Sequence, residues 1–263
     1  MRPHEAHVMR VVKIGGRAQG DARLGPALAA VALQDGGSAA SLCVVHGGGD
    51  EVSAMQRRLG LEPVFKGGRR VTNEAELEIV RMVLSGTINK RLVSMLLSHG
   101  VRAAGISGED AMLFRSRAAD PETMGRVGGV VTVDPSIVRQ LMADGYVPVI
   151  SPLARDADAS GRGLNVNGDD AAAALAGALA ADELVLVADV PGVLDGNAVI
   201  PSLDLEAAEA LVASGVAAGG MAAKLEAAAA ALRAGVARVR ISGLDGIGNP
   251  EAGTRVVRAP SPV

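Results

Sequence analysis

The chain has 263 residues, of which 21% are charged and 49% hydrophobic, and its formal net charge is −3 at pH 7. This length suits one large α/β domain or two small ones, and the composition is that of a globular protein. The lack of a basic excess argues against nucleic-acid binding. A single cysteine, Cys43, excludes a disulfide framework and a multi-cysteine metal site. Apolar runs are too short to cross a bilayer, so we expect a cytoplasmic protein that binds no membrane.

Stretches rich in valine and isoleucine alternate with longer helical patterns along the chain. The predicted strands cover residues 8–14, 41–45, 103–107, 147–151, 184–188 and 238–242. The predicted helices cover residues 21–35, 50–59, 72–99, 135–144, 170–180, 205–214 and 221–234. The third of these segments is long enough for two consecutive helices. Most strands are apolar almost throughout, as in parallel sheets covered on both faces, so the pattern predicts an α/β fold with an open, mainly parallel sheet.

Two segments interrupt this alternation. Residues 111–133 are polar and glycine-rich and end in a valine-rich stretch, 127–133, that is typical of hairpins. Residues 161–168 form a second irregular stretch. We place a soft boundary just after it, which divides the chain into an N-terminal lobe, residues 1–170, and a C-terminal lobe, residues 171–263, on one continuous sheet.

Two predicted strands run directly into glycines. The first ends in Gly15 and Gly16, and the second in His46, Gly47, Gly48 and Gly49. Ligands bind at the carboxyl ends of the strands in open α/β sheets, and a glycine there lets backbone N–H groups approach an anion. A site for phosphate or carboxylate is therefore favoured over purely structural turns. The phosphate-loop and dinucleotide-binding patterns are absent, which argues against a dehydrogenase.

Charged residues adjoin these glycines and the later helices. Lys13 lies within the apolar first strand, so we expect its ammonium group to reach an anion or a carboxylate rather than solvent. Asp169 and Asp170 precede an alanine-rich helix, which either could cap. Lys224 follows a glycine pair at the start of a helix, where a lysine is unfavourable unless an anion meets it. An exposed, solvated lysine is the alternative at both lysine positions.

Eight segments, in order and over nearly the whole chain, resemble the amino acid kinase family. They are residues 12–16, 45–49, 68–72, 82–90, 105–110, 165–169, 188–194 and 219–224. The lysine–glycine strand end and the Asp-Val-Pro-Gly-Val run at 189–193 mark the wider family. The Arg-Val-Thr run at 70–72 and the Gly-x-x-Asn-Lys run at 86–90 resemble more narrowly the branch that acts on N-acetyl-L-glutamate.

The resemblance implies a three-layer αβα sandwich that transfers a phosphoryl group from ATP to the side-chain carboxylate of N-acetyl-L-glutamate, a step of arginine biosynthesis. The acyl amino acid would bind the N-terminal lobe and ATP the C-terminal lobe, with Mg²⁺ carried by the nucleotide rather than by dedicated protein ligands. Only 12 residues precede Lys13. By resemblance, this implies an enzyme that arginine does not inhibit, and most simply a homodimer.

The resemblance also implies a role for each matching residue. Lys13 and Lys224 would neutralise charge on the transferring phosphoryl group, and Asp169 would hold both lysines. The acyl amino acid would contact Gly47, Gly48, Arg70 and Asn165. The nucleotide would contact Gly15, Gly16, Asp189, Gly192, Val193, Leu194, Gly219, Gly220 and Met221. The chain has Ala218 and Ala223 where the family usually has Thr and Pro, which bears on the geometry of the nucleotide loop.

The chemistry implied needs few special groups. A carboxylate nucleophile is already ionised at pH 7, so no general base is required, and catalysis reduces to positioning and cationic stabilisation. Alternatives remain open at this point. A kinase for α-aminoadipate or glutamate linked to a carrier protein would use the same carboxylate. Other kinases of the family and an inactive metabolite or nucleotide sensor share the fold.

Overall fold

The structure is a computed structural model, and it describes residues 8–34, 40–158 and 162–258. Two predicted bounds, Asp35 at the end of the first helix and Gly161 at the start of the second irregular stretch, lie outside these residues. The strands are Arg10–Ile14 (β1), Leu42–His46 (β2), Phe65–Lys66 (β3), Arg69–Arg70 (β4), Ala103–Ser107 (β5), Phe114–Ala118 (β6), Val127–Val133 (β7), Val147–Ser151 (β8), Leu153–Asp156 (β9), Gly163–Val166 (β10), Glu183–Val187 (β11), Leu194–Asp195 (β12), Ala198–Val199 (β13), Ser202–Asp204 (β14), Arg238–Ser242 (β15) and Thr254–Val257 (β16).

The helices alternate with these strands. They are Leu24–Leu33 (α1), Gly49–Arg58 (α2), Glu74–Arg81 (α3), Asn89–Ser98 (α4), Pro121–Met124 (α5), Ser136–Ala143 (α6), Gly168–Leu179 (α7), Leu205–Ala213 (α8) and Gly219–Arg233 (α9). Each predicted strand is present within two residues of its expected bounds. None of the helices among the described residues is both long and apolar enough to cross a membrane.

The central sheet has eight strands in the order β14–β16–β15–β11–β1–β2–β8–β5. All neighbouring pairs are parallel except β15 and β16. Successive side chains of each strand point to opposite faces of the sheet, because the strand period is two residues. Val11 of β1 packs among α6 to α9 on one face, whereas Val12 packs among α1 to α4 on the other. This arrangement confirms the predicted three-layer αβα sandwich.

The predicted helical segment 72–99 is helical without a break from Glu74 to Ser98. Helices α3 and α4 are joined by a π-helical turn, Met82–Ile88. The residues at helical spacing form the buried stripe that the sequence predicts, and they are Leu77, Val80, Leu84, Ile88, Leu92 and Leu96. A π turn holds one residue more than an α turn and often occurs at functional sites. Here it brings Leu84 and Ile88 against Gly48.

The irregular segment forms a small second sheet. Strands β6 and β7 pair in antiparallel fashion, as the valine-rich stretch predicts. Strands β9 and β10 close the sheet into a four-stranded ring, in which β10 pairs with β7 and β9. Two strands of the ring, β6 and β7, precede the sheet strand β8, and the other two, β9 and β10, follow it and lead into α7. It places Asn165, in β10, next to the carboxyl end of the central sheet.

Helix α7 is capped by a residue that the sequence analysis did not choose. The side-chain oxygen of Asn167 accepts hydrogen bonds from the backbone N–H groups of Asp169 and Asp170, at 2.7 and 3.4 Å. The expectation that Asp169 or Asp170 caps this helix is therefore wrong. The helix starts two residues earlier than predicted, and the carboxylates of Asp169 and Asp170 in its first turn pair with cationic side chains instead.

Candidate active site

Three charged residues meet beneath the glycine turns. The Nζ of Lys13, in β1, lies 2.9 Å from Oδ1 of Asp169, in the first turn of α7. The Nζ of Lys224, in α9, donates to both carboxylate oxygens of Asp169, at 3.1 and 3.2 Å. All three residues are at most 8% exposed. Charged groups are seldom buried so deeply unless they are paired, so the structure brings together the three residues named for catalysis.

The balance of charge in this cluster determines the protonation states. Burial by itself raises the pKa of Asp169, but the ammonium groups of Lys13 and Lys224 outweigh that effect and hold it below the ordinary value. Burial and the nearby charge of Lys13 lower the pKa of Lys224, against the opposing effect of Asp169. Counted as one carboxylate and two ammonium groups, the cluster carries one excess positive charge. It is therefore suited to receive an anion.

A first cavity of about 240 Å³ opens on the Lys13 side of this cluster. Its lining includes the four residues assigned to the acyl amino acid, Gly47, Gly48, Arg70 and Asn165. The sequence analysis assigned no role to further lining residues, among them Phe65, Arg69, Val127, Pro152 and Asn167. Phe65 is one of only three aromatic residues in the chain and adjoins a basic run, which was an available signal.

Arg70 is held firmly at the wall of this cavity. Its Nη2 donates to the carbonyl oxygen of Gly49 and to Oγ of Ser53, both at 2.7 Å, and its Nη1 donates to Gln56. The guanidinium carbon of Arg70 lies over the ring of Phe65, 4.7 Å from the centroid of that ring. Burial lowers the pKa of Arg70, but an arginine remains protonated in proteins. The site thus presents a fixed, permanent positive charge.

Thr72 connects Arg70 to Asn165. Its buried hydroxyl donates to the carbonyl oxygen of Arg70 at 3.0 Å and accepts a hydrogen bond from Nδ2 of Asn165 at 3.2 Å. This contact uses the amino end of the Asn165 side chain. The amide oxygen of Asn165 is then the end available to a donor in the cavity.

A second cavity of about 480 Å³ opens on the Lys224 side. Five of the residues assigned to the nucleotide line it, and they are Gly15, Gly16, Asp189, Gly220 and Met221. Arg17 and Asp50, which the sequence analysis did not select, line it as well. Gly16 and Gly49 belong to the lining of both cavities. The two cavities therefore adjoin at the glycine turns above the Lys13–Asp169–Lys224 cluster.

The other nucleotide candidates lie outside the lining of the second cavity. Val193 is buried in the core, and its N–H donates to Oγ1 of Thr254. Gly192 packs closely against Thr254, and Leu194 lies in the small β12–β13 hairpin. Gly219 lines a neighbouring cavity together with Asp169 and Gly220.

His46 has a structural environment. Burial lowers its pKa to about 4, so the ring is neutral at physiological pH. One ring nitrogen lies 3.3 Å from Nδ2 of Asn89 and the other lies 3.0 Å from the carbonyl oxygen of Gly47. Since the amide group of Asn89 donates, the ring must donate to Gly47. These contacts hold the glycine turn in place, which is a structural role for His46.

Comparison with known proteins agrees with this architecture. A protein-family model described as the amino acid kinase family matches residues 9–243. A protein from Chloroflexus aurantiacus named acetylglutamate kinase is 48% identical over 216 residues, which cover 81% of this chain and 84% of that protein. A protein of the same name from Bacillus subtilis is 43% identical over 223 residues, which cover 83% of this chain and 85% of that protein.

A solved structure has the same fold. A protein of Streptococcus mutans, known from its crystal structure, superposes with a TM-score of 0.84 at 28% sequence identity, and the match covers 94% of this chain and 98% of that one. Because the family model spans most of the chain and the relatives exceed 40% identity, the family is established. The chain belongs to the amino acid kinase family.

Proposed function

We propose that the chain transfers the γ-phosphoryl group of ATP to the side-chain carboxylate of N-acetyl-L-glutamate, forming N-acetylglutamyl 5-phosphate and ADP. The names of its relatives from Chloroflexus aurantiacus and Bacillus subtilis support this reaction. The observation that carries it is the position of Lys13 and Lys224. They approach one buried carboxylate, Asp169, from two adjoining cavities.

The charges of the cluster suit phosphoryl transfer between two anions. The attacking carboxylate and the triphosphate repel each other, so a catalyst gains most from cations fixed where charge accumulates. In our proposal Lys13 and Lys224 contact the transferring group, and Asp169 keeps their amines in place between the cavities. Because a substrate carboxylate is ionised at neutral pH, no protein base takes part.

The first cavity suits a small dicarboxylate with an acylated nitrogen. Arg70 would bind the α-carboxylate through its fixed guanidinium group, and the amide oxygen of Asn165 would accept from the substrate N–H. The backbone N–H group of Gly48 would face the reacting carboxylate, whereas the N–H of Gly47 already donates to the carbonyl oxygen of Ile14 at 2.9 Å. The narrow volume of about 240 Å³ favours a free amino-acid derivative over a bulkier one.

The second cavity suits the nucleotide. Gly15 and Gly16 would donate N–H groups to the phosphates, and Asp189, Gly220 and Met221 would line the path of the nucleotide. The resemblance also assigns Gly192, Val193, Leu194 and Gly219 to this site. These four remain proposals, since they lie outside the cavity lining as described above.

Mg²⁺ is expected to accompany ATP. Within the described part of the chain, no group of three or more His, Cys, Asp or Glu side chains is arranged to hold a metal ion. Asp50 and Asp189 supply two carboxylates at the nucleotide cavity, which fits an ion held mainly by phosphates and water. When bound, Mg²⁺ would neutralise phosphate charge.

We also propose a homodimer in which the N-terminal lobe, residues 1–170, carries the contact and the acyl amino acid, while residues 171–263 carry the nucleotide. Met82 and Leu97 support a contact on the α3–α4 run, since they are 55% and 54% exposed. Light scattering should give a mass near twice the 26.5 kDa of one chain. Met82→Asp should reduce it to that of one chain.

Trapping the product tests the proposed reaction. The purified chain is incubated with ATP, Mg²⁺ and hydroxylamine, which converts an acyl phosphate to a stable hydroxamate. N-acetyl-L-glutamate should give robust product, whereas aspartate, N-acetyl-α-aminoadipate and N-succinylglutamate should give little. No hydroxamate with any free acceptor, from folded protein that binds ATP, would overturn the proposal and favour a substrate linked to a carrier protein.

A further inference from the structure

Arg17 connects three loops at the carboxyl edge of the sheet. It follows Gly15 and Gly16 directly after β1. Its Nη1 lies 3.0 Å from Oδ2 of Asp189, which follows β11, and its Nε lies 3.8 Å from Oδ2 of Asp50, which follows the glycines after β2. The guanidinium group therefore extends across the opening between the glycine turns.

This opening is the place where the two cavities adjoin. Gly16 and Gly49 line both cavities, and Arg17 and Asp50 are their immediate neighbours in sequence. Among the described residues that line the nucleotide cavity, the cationic ones are Arg17 and Lys224. Arg17 and Lys224 line the same cavity, so a triphosphate bound there with one end at Lys224 shares that cavity with Arg17.

The ion pairs of Arg17 are easily exchanged. The Arg17 side chain is 74% exposed, and those of Asp50 and Asp189 are 76% and 47% exposed. Such solvated pairs contribute little to stability. A phosphate chain carries more charge than either carboxylate and matches the forked guanidinium group through paired hydrogen bonds. Nucleotide binding thus offers Arg17 a better partner than those it now has.

We propose that Arg17 is a catalytic residue that leaves Asp189 and Asp50 when ATP binds and contacts its β- and γ-phosphates, as a third cation beside Lys13 and Lys224. The inference rests on ATP being the phosphoryl donor. In the reaction, the carboxylate oxygen forms a bond to the γ-phosphorus while the bond from that phosphorus to the bridging β-oxygen breaks. The electron pair of the broken bond goes to ADP, and Arg17 stabilises that charge.

Steady-state kinetics and ADP titration test this role. Arg17→Ala should lower kcat/KM for ATP by roughly tenfold to a hundredfold, weaken ADP binding and leave the KM for N-acetyl-L-glutamate within about twofold. Arg17→Lys should retain part of the activity, because it keeps the charge but loses the fork. Arg23→Ala is the matched control, since Arg23 is similarly exposed, pairs with Asp21 and Asp245, and lies outside both cavities.

A second variant separates contact with phosphate from simple shielding of carboxylates. If Arg17 only neutralised Asp50 and Asp189, adding Asp50→Asn to Arg17→Ala would restore much of the lost ADP binding, measured without Mg²⁺ so that Asp50 has no ion to hold. Direct contact predicts that the double variant stays as weak as Arg17→Ala. Restoration by Asp50→Asn, or an Arg17→Ala enzyme within twofold of wild type in both kcat/KM for ATP and ADP affinity, would overturn the inference.

The titration also keeps this inference distinct from the proposed function. ADP binding is measured without an acceptor, so a chain that makes no hydroxamate from N-acetyl-L-glutamate still reports on Arg17. In that case the proposed reaction is refuted, while the titration alone decides whether Arg17 contacts the nucleotide. The thermal unfolding temperature of Arg17→Ala should match that of wild type, because Arg17 is exposed. A match shows that a loss of ADP affinity does not come from a loss of folded protein.

Discussion

Lys224 donates hydrogen bonds to both carboxylate oxygens of Asp169, at 3.1 and 3.2 Å, although the two residues are 55 positions apart in the chain. The Nζ of Lys13 lies 2.9 Å from Oδ1 of the same carboxylate. One buried anion thus holds two buried cations at fixed positions, each facing its own cavity. Such a preorganised arrangement stabilises a transition state at little cost in reorganisation.

Neutralising Lys224 should affect the chemical step. We expect Lys224→Met, which keeps the apolar stem and loses the charge, to lower kcat by at least about a hundredfold, in the range found for single electrostatic contacts to a transition state. The KM for N-acetyl-L-glutamate should change by less than about threefold, because Lys224 lines the second cavity rather than the first. Steady-state kinetics decide the matter. Turnover within twofold of wild type would refute the role of Lys224.

Because of Asp169, the free energy of unfolding should depend on pH in the acidic range. Its carboxylate is charged in the folded protein with a pKa below the ordinary value of 3.8. An unfolded chain therefore binds this proton at a higher pH than the folded chain. The resulting stabilisation is complete above about pH 4 and disappears as the pH falls through the lower folded value. Unfolding free energy should rise with pH across this interval.

Asp169→Asn tests that dependence by urea denaturation at several pH values. The variant should be less stable than wild type at pH 7, because Lys13 and Lys224 then repel each other without a counter-charge. Its stability should vary less with pH below about 4. Part of the acid dependence remains in both proteins, since Arg240 and Arg10 hold the pKa of Glu183 below its ordinary value against the effect of burial. Parallel pH profiles for variant and wild type would contradict the account.

Thr72 should act as a positioning residue for substrate binding. Removing its hydroxyl in Thr72→Val leaves the Arg70 carbonyl and the Asn165 amide without this partner. We expect the KM for N-acetyl-L-glutamate to rise roughly tenfold, which corresponds to about 1.4 kcal/mol, while the KM for ATP stays unchanged. Thr72→Ser keeps the hydroxyl and should recover most of the affinity. Equal effects of the valine and serine variants would show that packing, and not the hydrogen bonds, matters.

Gly125 should tolerate no side chain. Its φ of +68° is one that L-residues rarely adopt, and a Cβ atom built on it would lie 2.4 Å from the carbonyl oxygen of Thr72. Gly125→Ala should therefore lower the unfolding free energy by roughly 1–3 kcal/mol and raise the KM for the acyl amino acid. Gly129→Ala is the control, because its Cβ would meet no atom within 4 Å. Equal stability of the two variants in urea titrations would contradict this explanation.

The fold could be predicted from the sequence where local pattern determines it. The apolar strands that run into Gly15 and Gly47 lie where the alternation places them, because buried parallel strands are apolar on both faces. The π turn at Met82–Ile88 could not be predicted, because it depends on tertiary contacts such as the hydrogen bond between Ser85 and Ser151. The cap at Asn167 was missed because Asp169 is equally suited to capping but pairs with two distant lysines.

The candidate active site could not be predicted from local sequence patterns alone. Lys13 and Asp169 are 156 positions apart, so only the path of the chain brings them together, and family resemblance supplied what spacing alone could not. Phe65 and Arg17 were missed because neither belongs to a recognised motif. Both are identified by their position at a cavity, which depends on the β3–β4 hairpin and on the turn after β1.

Isotope transfer tests the central claim, that the side-chain carboxylate of N-acetyl-L-glutamate is the nucleophile. The enzyme is given ATP, Mg²⁺, hydroxylamine and substrate labelled with ¹⁸O in both side-chain carboxylate oxygens. Hydroxylamine attacks the acyl carbon, so the released phosphate keeps the bridging oxygen. We predict one ¹⁸O atom in each phosphate, in amounts equal to the hydroxamate. Phosphate without ¹⁸O would show that water or another group attacked ATP and would contradict the account.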